Sequence, residues 1–368
     1  MLPGLVLTPY VFNDWLYRGL VFLVISCPCA LVVSIPLGYF GGIGLASKNG
    51  ILFKGGNFLD VMTKVDTIVM DKTGTLTKGV FSVREVVAQD IETEQLIRYA
   101  VALERNSTHP VARAIVSYGQ KIAGDEEASS VEEISGHGLR GLVDGKEILA
   151  GNLKLLRKYG VSYPDEIEKI VDTMVVIAVE NKYAGYLTIA DEIKEEAETA
   201  VRQMHDLGIR TFMLSGDKQV VVDQVANRLR IDQAFGDLLP EGKVEKVEAL
   251  NKQGRHIAFV GDGVNDAPVI ALADAGIAMG GLGSDAAIEI ADIVIQNDQV
   301  TRIVSAIKIG RLTRAIVWQN IVLAMAVKAA VLSLGAFGVA NLWEAVIADV
   351  GVAFLAILNA VRIQGKNV

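Results

Sequence analysis

The sequence contains little cysteine and no excess of positive charge. Its 368 residues include only two cysteines, Cys27 and Cys29. Side chains this close cannot be joined without severe strain, so a fold held together by disulfides is excluded. Lysine and arginine number 35 against 43 aspartates and glutamates, which gives a net charge of −8. Because nucleic-acid binders present a basic surface, we expect no nucleic-acid partner.

Charged residues are also absent from a long stretch near the N terminus. None of the 29 residues between Arg18 and Lys48 is charged, and roughly 20 apolar residues suffice for a helix to cross a bilayer. A second apolar region, from about 315 to 361, is broken near 341–343 and predicts two further crossings. Lysines and arginines flank the ends of these segments that face the middle of the chain. We therefore expect a multi-pass protein of the cell membrane, in contact with lipid, whose middle part is cytoplasmic.

The middle of the chain, from about residue 60 to 300, has the composition of a soluble α/β protein. Short apolar runs predict strands at 67–70, 210–214 and 256–260, each followed by a turn that contains glycine or aspartate. Their alternation with amphipathic helical stretches favours a mostly parallel sheet. Ligands collect at the carboxyl ends of parallel strands, so we expect the three turns to form one site. Residues 81–190 separate the first strand from the others and predict an inserted domain.

The turn after the first strand, residues 71–77, reads Asp-Lys-Thr-Gly-Thr-Leu-Thr. A carboxylate at a strand end, followed by small residues and a glycine, is placed to attack a phosphoryl group, so we predict Asp71 as the nucleophile. Attack on an anion requires help from a metal ion and a cation. We predict that Asp71, the Thr73 carbonyl and Asp262 hold Mg²⁺. Lys243 is the predicted cation.

The other two turns carry further polar groups. Residues 215–217 read Ser-Gly-Asp, and their hydroxyl and backbone amides suit phosphate oxygens. Residues 261–268 read Gly-Asp-Gly-Val-Asn-Asp-Ala-Pro, which places two carboxylates and an amide in one loop. Oxygen ligands of this kind suit Mg²⁺.

In this order, with an insertion between the first and the second, the three motifs resemble those of the P-type ATPases, a branch of the haloacid dehalogenase superfamily. The resemblance covers nearly the whole chain. It implies that Asp71 is phosphorylated by ATP, that Asp217 is a catalytic residue and that Asp191 lies at the hinge of the inserted domain. It further implies that the Mg²⁺ and phosphate site is completed by Asp262, Asn265 and Asp266.

The resemblance also implies the fold class and the domain organisation. We expect an α/β protein with a haloacid-dehalogenase-like Rossmannoid phosphorylation domain, an inserted α+β nucleotide-binding domain and transmembrane α-helices. The expected segments are a remnant of a transmembrane helix and outer loop at 1–14, a transmembrane helix with its stalk at 15–60, the phosphorylation domain at 61–80 and 191–300, the nucleotide-binding domain at 81–190, and two carboxy-terminal transmembrane helices at 301–368.

The apolar segments contain metal-binding and ionisable side chains. Pro28 lies between the two cysteines, where it unwinds the helix and turns both thiols toward one site. Lys328 lies 14 residues beyond Arg314 and Asp349 lies 13 before Arg362, about 21 and 20 Å along a helix, so their depths are similar. We predict that the metal ligands are Cys27, Cys29 and Asp349, and that Lys328 pairs with Asp349 when the site is empty.

Two sulfurs and a carboxylate suit a divalent borderline ion such as Zn²⁺, whereas thiolates alone suit Cu(I). Cys-Pro-Cys, together with Lys328 and the run Asp-Val-Gly at 349–351, resembles the zinc, cadmium and lead exporters of the heavy-metal subclass of P-type ATPases. This resemblance implies ATP-driven export of Zn²⁺, Cd²⁺ or Pb²⁺ through an aspartyl phosphate. It also implies a nucleotide pocket formed by Glu104, His109, Gly136 and Gly138.

Three alternatives stay open on the sequence alone. The chain could export Cu⁺, act as a membrane-anchored phosphohydrolase, or be a non-catalytic fragment that binds metal. The family's actuator domain directs water onto the phosphate with a Thr-Gly-Glu loop, and no such sequence occurs here. The resemblance therefore implies the carboxy-terminal half of a pump, which would turn over poorly without an amino-terminal half that carries the actuator.

Overall fold

The structure is a computed structural model that describes residues 12–26, 29–122, 124, 126–170, 172–263, 266–281, 285–336 and 342–366. Contacts divide the chain into two compact units. Unit 1 contains residues 1–69, 202–211 and 244–368, and unit 2 contains residues 70–201 and 212–243.

Helices and strands alternate through the middle of the chain, and helices predominate at both ends. The helices are α1 (Phe12–Ile25), α2 (Cys29–Lys48), α3 (Gly56–Lys64), α4 (Thr93–Glu104), α5 (Pro110–Gly119), α6 (Leu153–Lys158), α7 (Ala197–Asp206), α8 (Gln219–Leu229), α9 (Pro240–Lys252), α10 (Ala267–Leu272), α11 (Asp285–Ile290), α12 (Thr301–Ala336) and α13 (Leu342–Val361). The strands are β1 (Ile51–Phe53), β2 (Thr67–Asp71), β3 (Thr77–Ala88), β4 (Ala128–Ile134), β5 (Gly138–Val143), β6 (Lys146–Gly151), β7 (Thr173–Val179), β8 (Lys182–Ile193), β9 (Arg210–Leu214), β10 (Gln233–Phe235), β11 (Ile257–Gly261), β12 (Ala275–Met279) and β13 (Ile293–Ile295). Short helical turns cover Lys72–Leu76, Asp165–Lys169 and Arg362–Gly365.

Three stretches of unit 1, within the described ranges, are long and apolar enough to cross a membrane. They are Ala30–Lys48, Thr301–Gly335 and Val346–Gly365. Helix α2 packs against both α12 and α13, which also pack against each other. The sequence predicts one crossing between Arg18 and Lys48. Within the described residues, α1 ends at Ile25 and α2 begins at Cys29, and the predicted unwinding at Pro28 lies outside the described residues.

The cytoplasmic ends of α2 and α12 pack closely together and against α3. A Cβ on Gly310 of α12 would lie 2.6 Å from the carbonyl oxygen of Leu59, so only glycine admits the α3 backbone there. A Cβ on Gly42 of α2 would overlap the Thr313 hydroxyl of α12. Arg314 donates a hydrogen bond of 2.8 Å to the Thr63 hydroxyl at the end of α3. These contacts join the three helices into one stalk.

The strands with residues in unit 1 follow the order β1-β13-β12-β11-β2-β9. β11 and β13 both run parallel to β12, and β1 closes the edge antiparallel to β13. The backbone N–H of Asp66 donates to the His256 carbonyl at 3.1 Å, and that of Arg210 donates to the Asp66 carbonyl at 2.9 Å. Strands β11, β2 and β9 therefore begin side by side at one edge. Every residue of β2 and β11 is buried, as expected of central parallel strands.

Unit 2 is built around a six-stranded antiparallel sheet in the order β3-β8-β7-β6-β5-β4. Side chains alternate between its two faces, and both faces are covered. Ile148 and Ile177 pack with α4 and α5 on one face, while Leu149 and Val176 pack with α6 on the other. The same unit contains the last residues of β9, which pair in parallel with β10.

Candidate functional site

Asp71 ends the buried strand β2, and its carboxylate is held from two directions. Oδ1 accepts a 2.5 Å bond from the Lys243 ammonium, and Oδ2 accepts a 3.1 Å bond from the Thr73 backbone N–H. Asp71 is only 6% exposed and Lys243 only 8%. Lys243 lies in the first turn of α9, which begins with Pro240. The lysine picked out from the sequence is therefore the counter-ion of the predicted nucleophile.

The turn after Asp71 is fixed by buried polar contacts. Gly74 has a φ of 72°, which explains the glycine at this position. Its carbonyl accepts a 2.8 Å bond from the Lys194 ammonium. The Thr77 hydroxyl lies 3.0 Å from the Lys72 carbonyl and 2.5 Å from Asp191 Oδ2. Burial raises the pKa of Asp191, and the hydrogen bond from Thr77 opposes part of that effect. Asp191 therefore closes the base of the turn, at the end of β8.

Asp217 contacts the same turn from the end of β9. Its carboxylate forms an ion pair with Lys72, the residue after the predicted nucleophile. The Ser215 hydroxyl accepts a 3.1 Å bond from the Asp217 backbone N–H, which fixes the start of the loop. In unit 2 the structure thus brings together three predicted positions: Asp71, Lys243 and Asp217.

The third predicted turn lies in unit 1, after β11. A carboxylate oxygen of Asp262 and one of Asp266 lie within 4.8 Å of each other. Asp266 is almost completely buried, and its carboxylate packs against Gly261, where a Cβ would lie 2.8 Å from Oδ2. Paired hard oxygen ligands of this kind fit Mg²⁺. Asn265 lies outside the described residues.

Unit 2 also contains a cavity of about 320 Å³ on the inserted sheet. All four predicted nucleotide-binding residues line it: Glu104, His109, Gly136 and Gly138. Glu104 ends α4, and His109 caps α5 by accepting a hydrogen bond from the Val111 N–H at 3.2 Å. Gly136 lies in the turn between β4 and β5, and Gly138 is the first residue of β5. The elements around the insertion therefore converge on one concave surface, the usual form of a small-molecule site.

Two carboxylates face this cavity, and they influence each other. Burial, and then the negative charge of Glu133, raise the pKa of Glu104 to about 7. A protonated carboxyl group can donate one hydrogen bond and accept another, so Glu104 offers both to a ligand in this cavity.

Gly138 also has a structural role. Its φ is 142°, and a Cβ there would overlap the Ala150 carbonyl oxygen on β6. A Cβ on Gly151, its cross-strand partner, would overlap the His137 carbonyl oxygen. Close approach of two strands thus requires both glycines at the floor of the pocket. Gly136, at φ 72°, has no atom within 4 Å of such a Cβ.

The predicted membrane site is described in part. Cys27 lies outside the described residues, and for Cys29 the structure gives the backbone at the start of α2. Lys328 of α12 and Asp349 of α13 are half-buried. A small apolar cluster marks their level, and it is formed by Ala30, Ala324 and Val352 with Leu31, Val327 and Ala353. Its members adjoin Cys29 and Lys328 in sequence and lie about one helical turn from Asp349, so the three helices bring these positions to one depth.

Several residues of these sites were not predicted from the sequence. Glu133, His137 and Asn152 line the cavity that contains Glu104, and Arg84 lines a second cavity beside Lys72. His137 stands between the two predicted glycines and Asn152 follows Gly151, so proximity to glycines could have identified both. Glu133 and Arg84 lie on exposed strand positions with no local motif, and only the sheet register places them.

Residues 65–274 match the haloacid dehalogenase-like hydrolase family. The chain belongs to this family. A zinc-transporting ATPase of Synechocystis sp. is 52% identical over 368 residues, which cover 99% of this chain and 51% of that protein. A cadmium, zinc and cobalt-transporting ATPase of Bacillus subtilis is 51% identical over 372 residues, which cover 98% of this chain and 52% of that protein. The chain therefore spans about half the length of these curated relatives.

A solved structure of a zinc-transporting PIB-type ATPase in its E2.Pi state matches with a TM-score of 0.90 and 33% identity, over 99% of this chain and 60% of that one. These comparisons confirm the resemblance to heavy-metal P-type ATPases. The predicted fold class, a haloacid dehalogenase-like α/β protein with transmembrane helices, is also confirmed. The prediction of a multi-pass membrane protein is confirmed as well.

Proposed function

We propose that this haloacid dehalogenase-like chain transfers the γ-phosphoryl group of ATP to Asp71 and uses the aspartyl phosphate to drive export of a divalent heavy-metal ion. The observation that carries the proposal is the geometry of Asp71, a buried carboxylate at a strand end with a buried ammonium on one oxygen and a backbone N–H on the other. The two relatives are zinc-transporting and cadmium, zinc and cobalt-transporting ATPases, which supports the choice of cargo.

Asp71 provides the nucleophile in this scheme. One carboxylate oxygen attacks the γ-phosphorus, and the bond from that phosphorus to the bridging oxygen breaks with its electrons leaving on ADP. Lys243 holds the carboxylate by an ion pair and offsets the charge that gathers around the transferred group. Asp217 and Lys72, paired at the next turn, hold the loop that receives the phosphoryl oxygens.

Mg²⁺ would be held by Asp71, the Thr73 carbonyl, Asp262 and Asp266, with Asn265 nearby. The carboxylate oxygens of Asp262 and Asp266, which lie within 4.8 Å of each other, support their part of this grouping. When bound, Mg²⁺ supplies charge neutralisation between the carboxylates and the phosphate. The base of ATP would lie beside Glu104, His109, Gly136 and Gly138.

The cargo site would lie among α2, α12 and α13. Cys27, Cys29 and Asp349 would bind the ion, and Lys328 would pair with Asp349 when the ion leaves. The level marked by Ala30, Ala324 and Val352 supports this grouping. Two sulfurs and a carboxylate favour Zn²⁺ and Cd²⁺, with Pb²⁺ as a further candidate, over Cu⁺.

Phosphorylation is tested with the full chain in lipid nanodiscs, Mg²⁺ and ATP labelled on the γ-phosphate. We expect an acid-stable, hydroxylamine-sensitive adduct, and none in Asp71→Asn. Asp165→Asn, a change of the same size on an outlying helical turn, should retain the label. Labelling of Asp71→Asn would exclude Asp71 as the acceptor.

The cargo is tested by equilibrium dialysis of the same preparation against Zn²⁺, Cd²⁺, Pb²⁺ and Cu⁺. We expect one tightly bound divalent ion with sulfur ligands in X-ray absorption spectra. Both the ion and the sulfur signal should be lost in Cys27→Ala/Cys29→Ala. Retention of Cu⁺ without Zn²⁺ would overturn the choice of metal.

Hydrolysis of the phosphoenzyme needs a further group. We propose that a Thr-Gly-Glu loop from an actuator in an amino-terminal half completes the pump. The chain alone should then accumulate phosphoenzyme with slow turnover. Addition of that half should raise the rate of phosphate release and leave the labelling stoichiometry unchanged.

A further inference from the structure

A second cavity of unit 2, of about 210 Å³, lies beside the residues that hold the Asp71 turn. Lys72, Thr77, Asp191 and Asp217 line it, and all four contact that turn or one another. Thr173, the first residue of β7, lines both this cavity and the base cavity that contains Glu104. The two cavities therefore share Thr173 in their linings and lie next to each other at the start of β7.

Two cations that line the second cavity are not part of the site around Asp71 described above. Arg84 and Lys218 both line the second cavity, and both are exposed. Within the described part of the chain, neither side chain forms a hydrogen bond or an ion pair. Lys72, the third cation of the cavity, is already paired with Asp217. The positive charge of Arg84 and Lys218 is therefore available to a ligand.

The backbone directs both cations into the cavity. The register of β3 against β8 shifts between Val83 and Glu85, so Arg84 lies at a bulge. A bulge re-aims the side chain of its extra residue and is common beside active sites. Lys218 immediately precedes α8, whose first turn contributes Val221 to the same cavity. The positive end of that helix dipole adds to the attraction for an anion.

Three carboxylates, Asp172, Asp191 and Asp217, also line this cavity and balance the formal charge of its three cations. Asp217 is paired with Lys72, and Asp191 is hydrogen-bonded to Thr77. Arg84 and Lys218 are therefore the exposed cations of this cavity that the negative charge of a ligand can reach.

We propose that Arg84 and Lys218 bind the α- and β-phosphates of the nucleotide whose base lies beside Glu104, and so deliver the γ-phosphate to Asp71. The inference rests on the proposed function, since it assigns the triphosphate of the same phosphoryl donor. Both side chains act as positioning residues. They hold the leaving diphosphate, while Lys243 and Asp71 act on the transferred group.

The test compares ligands of increasing phosphate number on the full chain in nanodiscs. Adenosine, AMP, ADP and ATP are used to displace fluorescent trinitrophenyl-ATP from the wild type, Arg84→Gln, Lys218→Gln and the control Lys158→Gln, an exposed lysine on α6. We expect Arg84→Gln and Lys218→Gln each to weaken the binding of ADP and ATP by about 10- to 100-fold, as loss of a charged hydrogen bond predicts. Adenosine should bind all four proteins equally. Equal losses for adenosine and ATP, or undiminished binding of ATP, would overturn the inference.

A second donor separates this inference from the proposed function. Acetyl phosphate offers a reactive phosphoryl group without a nucleotide, so its labelling of Asp71 should be the same in Arg84→Gln as in the wild type. Loss of labelling from both donors would mean that Arg84 supports the fold or the chemistry instead. A wild type that binds no ATP, and is labelled by neither donor, would overturn the proposed function itself.

Discussion

The ion pair between Lys243 and Asp71 allows a sharp test of how the candidate site is built. Both side chains are buried, and Nζ lies 2.5 Å from Oδ1. Lys243→Met removes one charge and leaves the Asp71 carboxylate buried without its main counter-ion. Asp71→Asn removes the carboxylate charge and leaves the Lys243 ammonium buried without its counter-ion. The double variant leaves neither charge and preserves most of the packed volume.

The magnitudes follow from the competition between attraction and desolvation. At 2.5 Å and an effective dielectric constant of about 20, the two charges attract by about 7 kcal/mol. Removal of both ions from water opposes this by several kcal/mol each, so the intact pair contributes little net stability. Loss of one partner leaves the other's desolvation uncompensated and costs about 3–5 kcal/mol. We expect each single variant to lose that amount locally, and the double variant to lose clearly less than the sum.

Hydrogen exchange with mass spectrometry measures the local loss of stability, which appears as faster exchange of the β2 amides. Lys252→Met is the matched control, because Lys252 lies in the last turn of the same helix with a side chain that is 80% exposed. Its exposed pair with Glu248 should contribute less than about 1 kcal/mol. If Lys243→Met were as mild as Lys252→Met, or if the losses simply added, the buried pair would not organise the site.

Three further predictions concern other parts of the structure. Because the folded state holds the Glu104 proton up to a pKa of about 7 against an ordinary 4.5, stability should fall as pH rises between these values and then level off. Glu104→Gln should remove this slope and gain about 3 kcal/mol at pH 8, measured by chemical unfolding at pH 5 and 8. Gly138→Ala should destabilise unit 2 far more than Gly136→Ala, because only the former meets backbone, and thermal unfolding that ranked them equally would contradict this. Gly42→Ala should lower the melting temperature in detergent, and Thr313→Ala should restore it by removing the overlapping side chain.

The catalytic turns could be predicted because the chemistry is local in sequence. Asp71, its glycine turn and the carboxylates after β11 each follow a short buried strand. The strand assignments at 67–71, 210–214 and 257–261 depart from expectation by at most one residue at an end. Because parallel strands place their carboxyl ends at the same edge of a sheet, the sequence also predicts that the turns after these strands form one site. Lys243 was a weaker prediction, because a surface lysine and a catalytic lysine look alike until the fold buries one.

What sequence reasoning missed depends on long-range register. Arg84 has no motif around it, and its relation to Thr173 arises only when β3, β8 and β7 pair in order. Glu133 likewise meets Glu104 across elements separated by the whole of α5. The division of the chain into domains at 81 and 190 stays a prediction, and β3 and β8, at 77–88 and 182–193, cross both of those positions.

Helix α12 shows how the membrane segment can transmit force. Its 36 residues extend about 54 Å, whereas the hydrocarbon core is about 30 Å thick, so about 24 Å of helix projects beyond the bilayer. This projecting part carries Gly310, Thr313 and Arg314, which lock it to α2 and α3. Lys328 lies on the same rigid helix, beside the cluster that marks the depth of the predicted cargo site. Since a helix transmits a shift or rotation along its axis, any movement of the stalk must also move Lys328 relative to α13 or carry α13 with it.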